Sequence, residues 1–237
     1  MTFRPLLLRP GAPLAFPDPR GADDEGLVAV GGDLAPARLL FAYAHGIFPW
    51  YDAGPPLWWS PDPRALMSAS ALHASRSLRR FLARCPWRVT LDTAFERVMN
   101  ECGSAREEGT WIRPEMVRAY VALSEAGHAH SVEVWDGSTL IGGLYGVQIG
   151  ALFAAESMFH RRTDASKVAL VCALRCLFAA GISVFDVQFK TDHLASLGAF
   201  EVSRADYLER VGRAVTERVS LGHLAGQNLL PLACPRG

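Results

Sequence analysis

Three polar residues stand where their neighbours are otherwise strand-forming and apolar. Glu156 falls within the run Ala151 to Phe159, and Asp186 and Gln188 fall within Ile182 to Phe189. A carboxylate on a core strand is costly unless it is paired or opens onto a cleft. A shared cleft accounts for both carboxylates at once, and a structural ion pair for Asp186 is the competing reading. Strand alternation puts Gln188 on the face of Asp186, and Lys190 on that face as a candidate partner for either. Such groups hold and orient a charged reactant. Covalent catalysis has no carrier: there is no G-x-S-x-G elbow and no cysteine flanked by a plausible His partner.

Metal chemistry is equally poorly served. Cys172 and Cys176 lie one helical turn apart, and His128 and His130 have strand spacing, but nothing nearby completes either set. No metal and no cofactor are expected. Five scattered cysteines with no C-x-x-C pair and no secretory segment suit reduced thiols, so the expected location is the cytoplasm. The most apolar window, Val168 to Phe185, is broken by Arg175, Gly181 and Ser183, whereas a bilayer span needs about 20 largely apolar residues; no membrane segment is expected.

Lys plus Arg and Asp plus Glu both number 24, so a polyanion would have to be met by a local basic patch. Arg76, Arg79, Arg80, Arg84 and Arg88 supply one, suited to phosphates, although a solvated helix face is the plainer alternative. Trp50 and Trp111 flank turns, where an indole can be exposed. Trp58 and Trp59 are read as structural.

The elements that must position these residues fall into two parts. Residues 1–62, rich in Pro, Gly and Trp, hold one short helix, Pro36 to His45, and read as a small loop-rich domain ending near Ser60-Pro61-Asp62-Pro63. Residues 63–237 begin with helices near Ser75 to Arg84, after an N-cap at Asp92 with a stop at Gly103, and from Pro114 to Ala126. An antiparallel meander follows: Ser131 to Trp135, Leu140 to Gln148 and Ala151 to Phe159, with turns at Asp136-Gly137 and Ile149-Gly150. A helix capped by Asp164 runs to about Ala180, Ile182 to Phe189 returns as a strand, and Ala205 to Val219 is the last helix.

The fold class expected is α+β: a small N-terminal domain, then a domain resembling the N-acetyltransferase-like fold, with a mixed, mostly antiparallel sheet flanked by helices. In that fold the strands splay to admit an acyl donor. A coenzyme A enzyme would place a glycine-rich turn before the helix that follows the meander. Here the loop is His160-Arg161-Arg162-Thr163-Asp164, with no glycine and an added anion, so coenzyme A is not expected.

A series of motifs carries a more specific resemblance. In order they are Gly26 to Leu34 (GLVAVGGDL), Gly46-Ile-Phe-Pro-Trp50, Leu57 to Arg64 (LWWSPDPR), Glu107 to Ile112 (EEGTWI), Gly127 to Trp135 (GHAHSVEVW), Gly142 to Gly146 (GGLYG), Glu156-Ser-Met-Phe159, Ala165-Ser-Lys167, Phe185-Asp-Val-Gln188 and His193 to Ala199. Together they resemble the leucyl/phenylalanyl-tRNA–protein transferase family over nearly the whole chain. The departures are small: Ala154-Ala155 where the family usually has a glycine, His160 for a common serine, and Val187 for a frequent cysteine.

The resemblance implies transfer of Leu, Phe and, less efficiently, Met from aminoacyl-tRNA to proteins beginning with Arg or Lys, marking them for N-end rule degradation. It implies that Asp186 and Gln188 orient and activate the attacking amine and that Glu156 helps hold the basic acceptor. Leu144, Met158, Leu170, Leu177 and Phe185 would line the pocket for the donor side chain, Trp50 and Trp111 would stack on the terminal adenosine, and Arg76, Arg79, Arg80 and Arg84 would meet tRNA phosphates. An ester donor is already activated, so near-attack positioning supplies much of the catalysis. Two rival readings remain at this point: a ligase acting on an anionic cell-wall precursor, against which the acidic pair argues, and a non-catalytic tRNA-binding module.

Overall fold

The computed structural model describes residues 4–9, 11–104 and 111–234. Residues 107–110 of the Glu107 to Ile112 motif lie outside that range. The N-terminal part is a four-stranded sheet. β1 (Leu6–Leu8) runs parallel to β2 (Leu27–Gly31); α1 (Pro36–Ala44) follows; β3 (Phe48–Pro49) and β4 (Leu57–Trp59) then complete the order β1-β2-β4-β3. Trp58 is fully buried and donates its indole N–H to the Gly31 carbonyl at 2.8 Å, while Trp59 donates to the Trp50 carbonyl at 2.7 Å, as structural tryptophans should. After α1 the chain reverses at Gly46, where φ is +74° and an added Cβ would sit 2.5 Å from Leu208 Cδ2. Only glycine fits there.

The larger sheet begins immediately afterwards with β5 (Arg64–Met67). The chain continues through α2 (Arg76–Arg84), β6 (Arg88–Leu91), α3 (Phe95–Ser104), α4 (Pro114–Glu125), the meander β7 (Ala129–Asp136), β8 (Thr139–Ile149) and β9 (Leu152–His160), then α5 (Ala165–Ala179) and β10 (Val184–Gln188). α6 (Asp192–Ser196), β11 (Phe200–Val202), α7 (Arg204–Ala214) and α8 (Leu229–Ala233) follow. The strand order is β11-β5-β10-β9-β8-β7-β6, antiparallel throughout except for the β10–β9 pair. The fold is α+β, with the mixed, mostly antiparallel sheet that the sequence predicts.

One face of this sheet is covered by α2, α5 and α8, the other by α1, α3 and α4, and a smaller apolar cluster sits under α7. α5 is buried on almost every face because it lies between the sheet and α8, which is why its sequence shows no polar stripe.

Several local expectations are corrected. Asp92 does not cap α3: its φ is +57°, and its carboxylate accepts the Ser131 N–H at 2.8 Å and meets His130 Nδ1 at 2.6 Å. Glu133, fully buried on β7, caps α3 instead by accepting the N–H groups of Thr93 and Ala94 at 3.2 and 3.3 Å. Gly103 lies inside α3 rather than stopping it, and α7 ends at Ala214 rather than Val219. Lys190 pairs with Glu201, not with Asp186, which a closer cation has already taken.

Candidate active site

β10 lies between β5 and β9, and its parallel pairing with β9 stops at Asp186–Ala154. Beyond that point the two strands part. Ala155, Glu156, Ser157 and Met158 of β9 and Val187 and Gln188 of β10 then line an opening between them. This is the splay expected of a sheet that admits an acyl group. The main cleft has a volume of about 510 Å³ and is walled by Glu156, Ser157, Met158 and Gln188, with Phe48, Pro49, Trp50, Trp111 and Phe189 around it. It continues into a smaller apolar recess of about 80 Å³ bounded by Leu144, Met158 and Leu170.

Glu156 points from β9 towards α1 and α4. Tyr43 donates to its Oε1 at 2.7 Å, Tyr120 lies 3.5 Å from Oε2, and the two phenol oxygens are 2.5 Å apart. Both tyrosines are buried, whereas Glu156 keeps partial contact with solvent through the cleft. Burial pushes the Glu156 carboxyl up to about 8; the Tyr43 hydrogen bond and the Arg64 charge oppose that rise, and the Asp186 charge adds to it. These surroundings therefore hold Glu156 largely protonated at neutral pH. Burial, with the Glu156 charge added, raises the pKa of both tyrosines, so they remain donors.

Asp186 is fully buried and lines neither cavity. Arg64 grips it with two bonds, Nε to Oδ1 at 2.9 Å and Nη2 to Oδ2 at 2.7 Å, and Tyr207 of α7 donates to Oδ2 at 2.8 Å. Burial alone would lower the Arg64 pKa, but Asp186 and Tyr207 raise it, so the guanidinium stays charged. Arg64 also sits over the rings of Phe48 and Tyr207, at 4.6 and 4.4 Å.

Gln188 is turned away from Asp186. A bulge between them shifts the register, so that Asp186 opposes Leu66 while Gln188 opposes Ala65, and Gln188 adopts a φ of +57°. Neighbours on one strand project to opposite faces, so the bulge places these side chains on opposite sides of the sheet, contrary to the plain two-residue period. Gln188 reaches the cleft, buried, and among the described residues its amide Nε2 and the Ser157 Oγ have no hydrogen-bond partner.

The other candidates distribute as follows. Trp50, 43 % exposed, and the buried Trp111 both line the cleft. Leu144, Met158 and Leu170 wall the recess, while Leu177 and Phe185, expected there too, are fully buried in the core and line neither cavity, Phe185 stacked on Phe153 at 5.2 Å. Arg76, Arg79, Arg80 and Arg84 occupy the outer face of α2, exposed, and pair with no carboxylate among the described residues. Arg161 and Arg162, in the loop before α5, pair with Glu101 and Asp136. Among the described residues no group of His, Cys, Asp or Glu could hold a metal ion, and no helix is long and apolar enough to cross a membrane.

Tyr43, Tyr120, Arg64, Tyr207, Ser157 and Phe189 were not singled out from sequence. Only Arg64, the last residue of the LWWSPDPR motif, and Ser157, within Glu156-Ser-Met-Phe159, had a signal. A second cavity, about 570 Å³, lies between residues 16–20, His45 and α7; its charged residues Asp18 and Arg20 pair with each other at 3.5 Å.

A sheet parted over a buried amide, beside a carboxylate and an apolar recess, has the form of an acyl-transfer site. Comparison with known proteins gives the particular family. Residues 66–212 match the family model described as leucyl/phenylalanyl-tRNA protein transferase, and residues 32–62 match that of its N-terminal domain. A leucyl/phenylalanyl-tRNA–protein transferase from Anaeromyxobacter dehalogenans (strain 2CP-C) is 54% identical over 90% of this chain and 93% of its own length. Proteins of the same name from Oleidesulfovibrio alaskensis and Enterobacter sp. (strain 638) are 56% and 52% identical, over 85% and 84% of this chain and 85% and 86% of theirs. The chain belongs to the leucyl/phenylalanyl-tRNA–protein transferase family and is an aminoacyltransferase.

Proposed function

We propose that the protein transfers leucine or phenylalanine, and less efficiently methionine, from aminoacyl-tRNA to the α-amino group of proteins that begin with Arg or Lys, and so marks them in the cytoplasm for N-end rule degradation. One observation carries this reading. A partly buried carboxylate, Glu156, faces a cleft whose floor opens into an apolar recess, so that a cationic acceptor and an aliphatic or aromatic donor side chain meet at the parting of β9 and β10. The recess wall of Leu144, Met158 and Leu170 suits Leu, Phe and Met and discriminates weakly among them. Trp50 and Trp111 offer faces for the terminal adenosine, and the arginines of α2 offer charge for the stem phosphates.

In this reading Glu156 receives the Arg or Lys side chain, and the incoming cation draws its carboxyl into the ionised form. Gln188, with Asp186 behind it, orients the reacting groups. The amine forms a bond to the ester carbonyl carbon and the ribose oxygen leaves, taking up the proton that nitrogen loses; no cofactor and no coenzyme A take part. Residues 1–62 serve as the smaller domain and 63–237 as the catalytic one. The test is transfer from labelled Leu-tRNA to peptides differing only at the first residue. Label in the Arg and Lys peptides but not the Ala peptide is expected; equal label in all three, or none, would refute the assignment.

A further inference from the structure

Two helices end in cysteines that share a cavity. Cys85 is the C-cap of α2 and Cys234 the C-cap of α8, and both line a space of about 210 Å³ with Trp87 and Asn228 among its other walls. Cys172 and Cys176 of α5 belong to the apolar cluster beneath it, whereas Cys102 lies in the cluster on the other face of the sheet. None of the four gathered here is in a disulfide.

Their surroundings set them apart. Cys172 is fully buried, and Cys176 donates its thiol to the Leu229 carbonyl at 3.7 Å. Cys85 is buried against the cavity, and Cys234 alone of the four keeps solvent contact. The Cys234 sulfur accepts from Arg175 Nη1 at 3.4 Å, and the same nitrogen donates to the Ala233 carbonyl at 2.8 Å. The end of α8 thus holds a cation against the thiol. Burial raises the pKa of both Cys85 and Cys234, and at Cys234 the Arg175 charge and hydrogen bond oppose that rise. Both rest as thiols at neutral pH, with the thiolate, the reactive form, supported at Cys234 by a full positive charge.

α8 is also an element that gains from a fastening. Five residues are too few to be helical unaided, yet Leu229, Leu230 and Ala233 are buried in the cover that α8 gives α5. Ahead of the helix, Asn228 Oδ1 accepts the Val89 N–H of the edge strand β6 at 3.0 Å.

We propose that Cys234 and Cys85 are a peroxide-responsive pair whose disulfide fastens α8 to the end of α2 and keeps the C-terminal segment closed over α5. The Cys234 thiolate attacks one peroxide oxygen and the O–O bond breaks, leaving a sulfenic acid and hydroxide. The Cys85 thiolate then attacks the Cys234 sulfur; the S–S bond forms, the S–O bond breaks, and the second oxygen leaves as hydroxide. Both hydroxides take up the thiol protons as water, so two thiols are oxidised while one peroxide is reduced. A dithiol reductant reverses the change. Neither cysteine lines the cleft, so the proposal is independent of the transferase reading.

The full chain is treated with hydrogen peroxide from pH 7 to 9, remaining thiols are counted with a chromogenic reagent, and bridged peptides are mapped by mass spectrometry before and after dithiothreitol. The expected result is the loss of two thiols to a single Cys85–Cys234 bridge that dithiothreitol reverses. It should form about 10-fold faster per pH unit as the thiolate grows, and it should raise Tm by about 4–16 °C. Arg175→Met should slow bridging throughout that range, and Cys85→Ser should stop at a Cys234 sulfenic acid that dimedone captures. Melts of the reduced variants check folding, and the wild-type peptide map decides the pairing without them. A bridge from Cys234 to Cys176, Cys234 carried on to sulfinic acid with no bridge, thiols unchanged by peroxide, or a bridge formed only in urea would each overturn the proposal.

Discussion

The Glu156 carboxyl makes a prediction that needs no substrate. Its ordinary value is 4.5 and its value in the folded protein is about 8, so folding disfavours its charged form. For an acid whose folded pKa is raised, the relative stability is fully present below the unfolded value and is lost as pH rises between the two. With 1.36 kcal/mol per unit, the loss between pH 5 and pH 9 is about 4 kcal/mol, and about 2–4 kcal/mol once residual solvent contact through the cleft is allowed for. Glu156→Gln keeps the shape and removes the titration. The variant should therefore gain on wild type progressively above pH 5, and the gap should level off above about pH 8. At roughly 2–4 °C per kcal/mol for a chain of this size, the difference in Tm should widen by at least about 4 °C across that range. Paired thermal melts at five pH values measure it. A gap that stays flat with pH would mean that the carboxyl titrates normally, and the burial that raises its pKa would be wrong.

The same carboxyl should ionise when an Arg-initiated peptide enters, so calorimetry at pH 7 in buffers of different ionisation enthalpy should report proton release, abolished in Glu156→Gln. Arg64→Met leaves the Asp186 carboxylate buried without its partner and should cost about 3–5 kcal/mol in urea unfolding, much of it recovered by adding Asp186→Leu. Replacing Arg76, Arg79, Arg80 and Arg84 by Ala should raise the KM for charged tRNA and flatten its salt dependence by up to about 0.9 for each phosphate no longer neutralised, without changing use of a short aminoacyl-nucleotide donor. Leu170→Phe fills the recess of about 80 Å³ and should shift the ratio of kcat/KM towards Leu over Phe, by about 10-fold or more.

The elements that carry the site were legible where a local pattern was strong. The meander, with its two turns, and the strand holding Asp186 could be read from alternation alone, and α5 from its length and its glycine stop. The seven strands β1 to β6 and β11 were not anticipated, because they are short and are held by pairing partners distant in sequence. The site followed the same division. Glu156 and Asp186 stood out as carboxylates among apolar neighbours, but what each one touches lies far along the chain. Arg64 is 122 residues from Asp186, and Tyr43 is 113 residues from Glu156. Periodicity places Gln188 beside Asp186; the bulge that separates them depends on how β10 registers against β5, which no window of sequence reports. Glu133 escaped notice for a related reason, since its role as the cap of α3 exists only once β7 has folded against that helix.

The central claim is that donor and acceptor meet where β9 and β10 part. A crystal structure with a non-hydrolysable phenylalanyl-adenosine amide tests it most directly. The account predicts the phenyl ring in the recess of Leu144, Met158 and Leu170, the adenine against Trp50, and the carbonyl oxygen within hydrogen-bond reach of Gln188 Nε2. The same ligand seated instead between residues 16–20 and α7, with the cleft unaltered, would contradict it.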